Sequence, residues 1–129
     1  MEAIYLDHAA TTPMRAEVKE AMLEAWDTYP GNPSSSHGWG RRARAALEEA
    51  RERLAAALGA ERGEIVFTPS GTMADNLAIL GRSRAARRRG GAGTVVCSAV
   101  EHSAVLRAVE AAGREGAPVV VLAVDSDGR

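Results

Sequence analysis

Residues 94–124 read TVVCSAVEHSAVLRAVEAAGREGAPVVVLAV. The opening 94–98 is apolar and rich in β-branched residues, which is strand chemistry. Residues 103–112 then set Val105, Leu106 and Val109 at helical spacing. Residues 118–124 are again almost wholly apolar. Two strands with no polar face, joined through a helix, make a βαβ unit and a parallel sheet buried on both sides.

The same pattern extends outward. Residues 71–83 space Met73, Leu77 and Leu80 as an inward stripe of a helix, and 64–68 form a short β-branched run that predicts another strand. Further upstream Ala43, Leu47, Ala50, Leu54 and Leu58 make one helical stripe, which Gly59 stops. Residues 30–38, PGNPSSSHG, form a loop by every turn signal. Ahead of it Val18, Met22, Ala25, Trp26 and Tyr29 recur at helical spacing, with Thr12 and Pro13 expected as N-cap and first helical residue. The expected fold is therefore α/β: an incomplete parallel or mixed sheet with flanking helices. Asp125-Ser126-Asp127-Gly128 signals a turn with only Arg129 beyond it. Three strands are few for such a sheet, so a truncated chain of poor solubility is expected.

Composition narrows the function. Of 129 residues, 46% are apolar and 26% charged, an ordinary globular mixture. The net charge of -1 offers no global basic field for nucleic acid. No apolar run approaches the ~20 residues that span a bilayer, and the N-terminus is unlike a signal or transit peptide. The expectation is a cytoplasmic protein that binds neither membrane nor nucleic acid. One cysteine, Cys97, excludes an internal disulfide and multi-thiolate metal sites. It lies inside an apolar strand, where thiols usually pack rather than react. His8 and His37 have no short ligand spacing to each other or to His102, so no metal site is expected. Lys19 is the one lysine. The arginines between Arg82 and Arg89 complement a helix C-terminus and face solvent.

Two segments could carry chemistry. Thr68-Pro69-Ser70-Gly71-Thr72 joins the predicted strand 64–68 to a helix. Free N–H groups at a helix N-terminus, beside a glycine and small hydroxyls, suit a phosphate; a plain capped helix is the other reading. Val100-Glu101-His102 follows the strand 94–98. Ligands of open parallel sheets bind beyond the carboxyl ends of strands, so this segment and the Ser70–Thr72 turn should face one crevice. An imidazole there could stack on a planar cofactor or move a proton; a surface or helix-capping histidine is the alternative.

Four segments together resemble the cysteine desulfurases of the class V aminotransferase superfamily. They are Tyr5-Leu6-Asp7-His8-Ala9-Ala10-Thr11-Thr12-Pro13, then Gly31-Asn32-Pro33-Ser34-Ser35 with His37-Gly38, then Ile65-Val66-Phe67-Thr68 leading to Gly71-Thr72 and Asp75-Asn76-Leu77-Ala78, and last Glu101-His102-Ser103-Ala104-Val105. The resemblance implies a fold-type I pyridoxal 5'-phosphate enzyme, with residues 1–30 in the N-terminal arm and small-domain helix and 31–129 in the first part of the cofactor-binding large domain. It implies that Gly71 and Thr72 bind the cofactor phosphate. It also implies that His102 stacks on the pyridine ring and takes part in proton transfer, as the catalytic residue of this portion. In the family reaction L-cysteine passes through an aldimine with the cofactor. Alanine and an enzyme persulfide result, whose sulfur goes to an iron–sulfur scaffold or tRNA-thiolation protein, and the full-length enzyme is a homodimer. Pro69, Ser70 and Met73 depart from the family loop, and the family's Schiff-base lysine and acceptor cysteine have no counterpart here. The chain alone is therefore expected to be inactive. Another class V enzyme, such as an aminotransferase or selenocysteine lyase, or a non-catalytic partner of a full-length subunit, are the alternatives.

Overall fold

The computed structural model describes residues 4–129; Met1, Glu2 and Ala3, the start of the expected N-terminal arm, lie outside them. The chain divides into two compact units, Met1–Val66 and Phe67–Arg129.

The first unit holds α1 (Ala16–Thr28) and α2 (Gly38–Leu58), followed by a single 3-10 turn, Arg62–Glu64. α1 begins three residues later than Pro13 suggested. Its N-cap is Arg15, with no side-chain cap, while the Thr12 hydroxyl lies 2.9 Å from His8 Nδ1. The hydroxyl expected to cap the helix is occupied within the turn before it. α2 opens on His37, whose Nδ1 accepts from Gly40 N, and closes on Gly59 at φ 65°, the left-handed stop read from sequence. Glycine is required at two close approaches in the loop: a Cβ on Gly31 would lie 2.5 Å from the Trp39 carbonyl, and one on Gly40 2.3 Å from that of Ser35.

The second unit is the βαβ assembly. α3 (Gly71–Arg88) leads to β1 (Val95–Ser98), α4 (Ser103–Arg114) and β2 (Val119–Leu122). β1 and β2 pair in parallel, Val95 opposite Val119 and Ser98 opposite Leu122. The core is built of small side chains. Ala104, Ala108, Val109 and Ala112 make a buried stripe on α4, joined by Cys97, Ala117 and Ser83. Alanine at these positions lets α4 approach both α3 and the strands closely.

Two expectations are corrected. Residues 64–68 form no ladder strand among the described residues: Glu64 ends the 3-10 turn, Ile65 is extended, and Val66 and Phe67 are exposed. Strand propensity needs a neighbouring strand before it becomes pairing, so the sheet among the described residues has two strands rather than three. Met73 and Leu77, expected to face inward, are 52% and 51% exposed. Side chains alternate along a strand. Cys97 is buried toward α4, while Val96, Val120 and Leu122 crowd the opposite face and stay exposed.

Candidate functional site

α3 and α4 pack along one another, and their register follows from an ion-pair cluster at their C-terminal ends. The Arg84 Nε donates to Glu115 Oε2 at 2.8 Å, and its Nη2 to Oε1. Thr72 lies twelve residues before Arg84, and Ser103 twelve before Glu115. At 1.5 Å per residue each lies about 18 Å from the cluster. Each helix therefore begins at its end away from the cluster. α4 opens beyond the carboxyl end of β1, which it follows through residues 99–102, and α3 runs into the amino end of β1 through residues 89–94. Gly71 and Thr72 thus open α3 and His102 caps α4 within the same unit, but the turn before α3 leaves no paired strand among the described residues.

At α3 the first turn is partly satisfied from within. Ser70 is the N-cap, and its Oγ accepts from Met73 N at 3.2 Å. Its carbonyl accepts from Ala74 N at 3.1 Å and from Thr68 Oγ1 at 3.1 Å. The first four N–H groups of a helix have no partner along the helix. With Met73 and Ala74 engaged, the Gly71 and Thr72 amides point outward beside the Thr72 hydroxyl. The Thr72 carbonyl accepts from Asn76 Nδ2 at 2.8 Å, which steadies the turn. A Cβ placed on Gly71 would meet no atom within 4 Å, so this side of the turn is open. Two N–H donors, one hydroxyl and the positive end of a helix dipole fit a phosphate group.

At α4 the capping residue is His102 itself. Its Nδ1 accepts from Ala104 N at 3.1 Å, and its carbonyl accepts from Val105 N at 2.9 Å. The helix-capping alternative for this histidine is thus realised, and it leaves a second function open. An Nδ1 that accepts places the neutral ring's proton on Nε2, and the residue is exposed. The cap fixes the ring, and Nε2 is the nitrogen available to a ligand. A fixed imidazole of this kind can stack on a planar ring or exchange a proton.

The other candidates lie elsewhere. His8 and His37 belong to the first unit, where His8 approaches Thr12 and Tyr5 while His37 caps α2. Lys19 is on α1 and exposed. Cys97 is buried on β1. Among the described residues no three His, Cys, Asp or Glu side chains gather as a metal set, and no helix is long and apolar enough to cross a membrane. Sequence reasoning passed over Glu115. Its only signal was an acidic residue closing α4, where a helix dipole disfavours negative charge. Arg84 answers it, and the hydrogen bond from that guanidinium holds the Glu115 carboxyl below the usual carboxylate range.

Residues 4–129 match the family model described as Aminotransferase class-V. A cysteine desulfurase IscS of Dictyoglomus turgidum is 46% identical over 125 residues, covering 97% of this chain and 31% of that protein. An IscS-like cysteine desulfurase of Mycobacterium tuberculosis is 46% identical over 130 residues, covering 96% of this chain and 32% of its own. Among solved structures, "SspA in complex with cysteine" aligns with a TM-score of 0.75 at 36% identity, over 92% of this chain and 33% of that one. The chain spans about a third of the length of the curated relatives it matches.

Proposed function

Since the chain belongs to the class-V aminotransferase family, we propose that it supplies the N-terminal part of a cysteine desulfurase and the first contacts of a pyridoxal 5'-phosphate site. One observation carries this reading. Gly71 and Thr72 open α3 with amides that nothing in the helix takes up, and His102, its Nδ1 held as the cap of α4, lies in the same unit. The cysteine desulfurase names of the relatives, and the cysteine complex of one solved structure, support L-cysteine as the substrate.

When bound, pyridoxal phosphate supplies an electron sink for charge developing at the substrate carbon. The chain's residues do the rest of what is proposed here. The Gly71 and Thr72 amides, the Thr72 hydroxyl and the α3 dipole hold the phosphate and set its orientation. His102, held through Nδ1, would contact the cofactor ring when it is bound and can give or take a proton at Nε2. Ser70 keeps Met73 N engaged, so the phosphate is gripped by the first two amides and the threonine. Sulfur leaves L-cysteine for a cysteine thiol outside this chain, and alanine remains. Cys97, buried on β1, takes no part. The whole protein acts as a cytoplasmic homodimer that hands sulfur to a scaffold protein.

Calorimetry on the 129-residue chain tests the site. Pyridoxamine 5'-phosphate is the probe, because its amine cannot condense with Lys19. It should bind, and pyridoxamine should not. Thr72→Val should weaken the phosphorylated ligand about tenfold or more, the loss of a hydroxyl donor to a charged acceptor. His102→Ala should weaken it while leaving inorganic phosphate unaffected. Equal binding of phosphorylated and unphosphorylated ligand would remove the reading. With the aldehyde cofactor and L-cysteine, this chain should release no alanine above the free-cofactor background, because its one lysine stands exposed on α1.

A further inference from the structure

The amino ends of β1 and β2 are tied together by a cluster that the proposed chemistry does not use. Arg87 Nη1 donates to the Glu115 carbonyl and Nη2 to its carboxylate at 3.3 Å. Arg84 grips the same carboxylate through two nitrogens. The Arg87 stem lies over the turn entering β1, since a Cβ on Gly93 would stand 2.6 Å from Arg87 Cγ. Buried Ser83 donates to the Gly93 carbonyl at 2.8 Å. One arginine thus touches the end of α3, the turn into β1 and the end of α4.

Two packed helices resist sliding only as well as their contacts are toothed. The α4 stripe is Ala104, Ala108 and Ala112 around one Val109, and alanines make shallow ridges. A slip of one residue would shift Thr72 against His102 by about 1.5 Å, enough to spoil a joint grip on one rigid ligand. Neither helix end carries any other ion pair that joins α3 to α4 among the described residues.

We propose that Arg84 and Arg87, by clamping Glu115, lock the axial register of α3 on α4 and so act as positioning residues for the phosphate and ring contacts at the far end. This rests on the cofactor reading above. The phosphate needs α3 alone, whereas phosphate and ring together need both helices in register.

The test compares wild type, Glu115→Gln and the exchanged pair Arg84→Glu with Glu115→Arg. Two readouts are taken: the ratio of affinities for pyridoxamine 5'-phosphate and inorganic phosphate, and the spin-label distance between Met73→Cys and Ser103→Cys in a Cys97→Ser background. In Glu115→Gln the ratio should fall roughly two- to five-fold, the scale of a partly exposed ion-pair network, with inorganic phosphate affinity unchanged. The distance distribution should broaden. The exchanged pair should recover part of both. An unchanged ratio with an unbroadened distance in a folded Glu115→Gln chain overturns the proposal. If Glu115→Gln does not fold, Arg84→Gln, which keeps Arg87 in place, is judged by the same two readouts. A wild-type chain that binds neither ligand defeats the cofactor reading instead, and the distance measurement then decides the register lock by itself.

Discussion

Replacing Gly93 with alanine should destabilise the second unit far more than the same change at Gly90, and the difference can be worked from the structure. Both glycines lie in the turn between α3 and β1 with positive φ, 85° at Gly90 and 67° at Gly93. An alanine pays the left-handed penalty of about 1–2 kcal/mol at either position. At Gly90 the new Cβ would meet nothing within 4 Å, so that penalty is the whole effect. At Gly93 it would stand 2.6 Å from the Ser83 carbonyl oxygen and 2.6 Å from Arg87 Cγ. The oxygen belongs to a helix backbone and cannot swing aside. Overpacking of this kind adds about 1–3 kcal/mol. For a domain of this size each kcal/mol lowers Tm by about 4–8 °C. Thermal melts followed by circular dichroism should therefore place Gly93→Ala at least about 4 °C below Gly90→Ala. Equal melting temperatures would refute the packing of Arg87 and Ser83 on this turn, and with it the structural basis of the clamp.

Further outcomes follow from the same contacts. His102→Asn should keep the α4 cap and stay within a few tenths of a kcal/mol of wild type, whereas His102→Ala should lose about 0.5–2 kcal/mol; both should lose the ring contact, which ligand titration reads separately. The Glu115 carboxyl is held low by the Arg84 hydrogen bond. A group lowered on folding stabilises above its unfolded pKa, and that contribution disappears as pH falls through the lowered folded value. The Tm gap between wild type and Glu115→Gln should thus be full at neutral pH and close in acid; a gap that does not change with pH would contradict it. Val96→Thr with Val120→Thr should raise solubility while changing stability by no more than about 0.5 kcal/mol, since both side chains are exposed on one sheet face; a large loss of stability in melts would show that face to be covered.

Much of this architecture was legible in the sequence. The two strands that paired are the ones whose apolar residues leave no polar face, and the helix between them needed only its period. Gly59 was legible as a stop because left-handed backbone leaves few alternatives. What misled was propensity without context. Ile65 and Val66 have strand chemistry, but pairing depends on a neighbour that no single segment can specify. Thr12 and Pro13 have the right types for a helix start, yet the Thr12 hydroxyl was already engaged by His8. The capped start of α3 was visible as a local motif. His102 was visible only as a histidine after a strand, and its use as the cap of α4 depends on how the chain turns there. The Arg84–Glu115–Arg87 cluster joins residues 28 and 31 apart in sequence. No local pattern marks such a pair.

The shared pocket is tested most directly by intermolecular NOEs in the complex of this chain with pyridoxamine 5'-phosphate. The pyridine protons and ring methyl should show contacts to the His102 imidazole, while the Gly71 and Thr72 amides shift with the phosphate resonance. A ligand whose phosphate moves those amides but whose ring contacts residues other than His102 would contradict the assignment of both helices to one site.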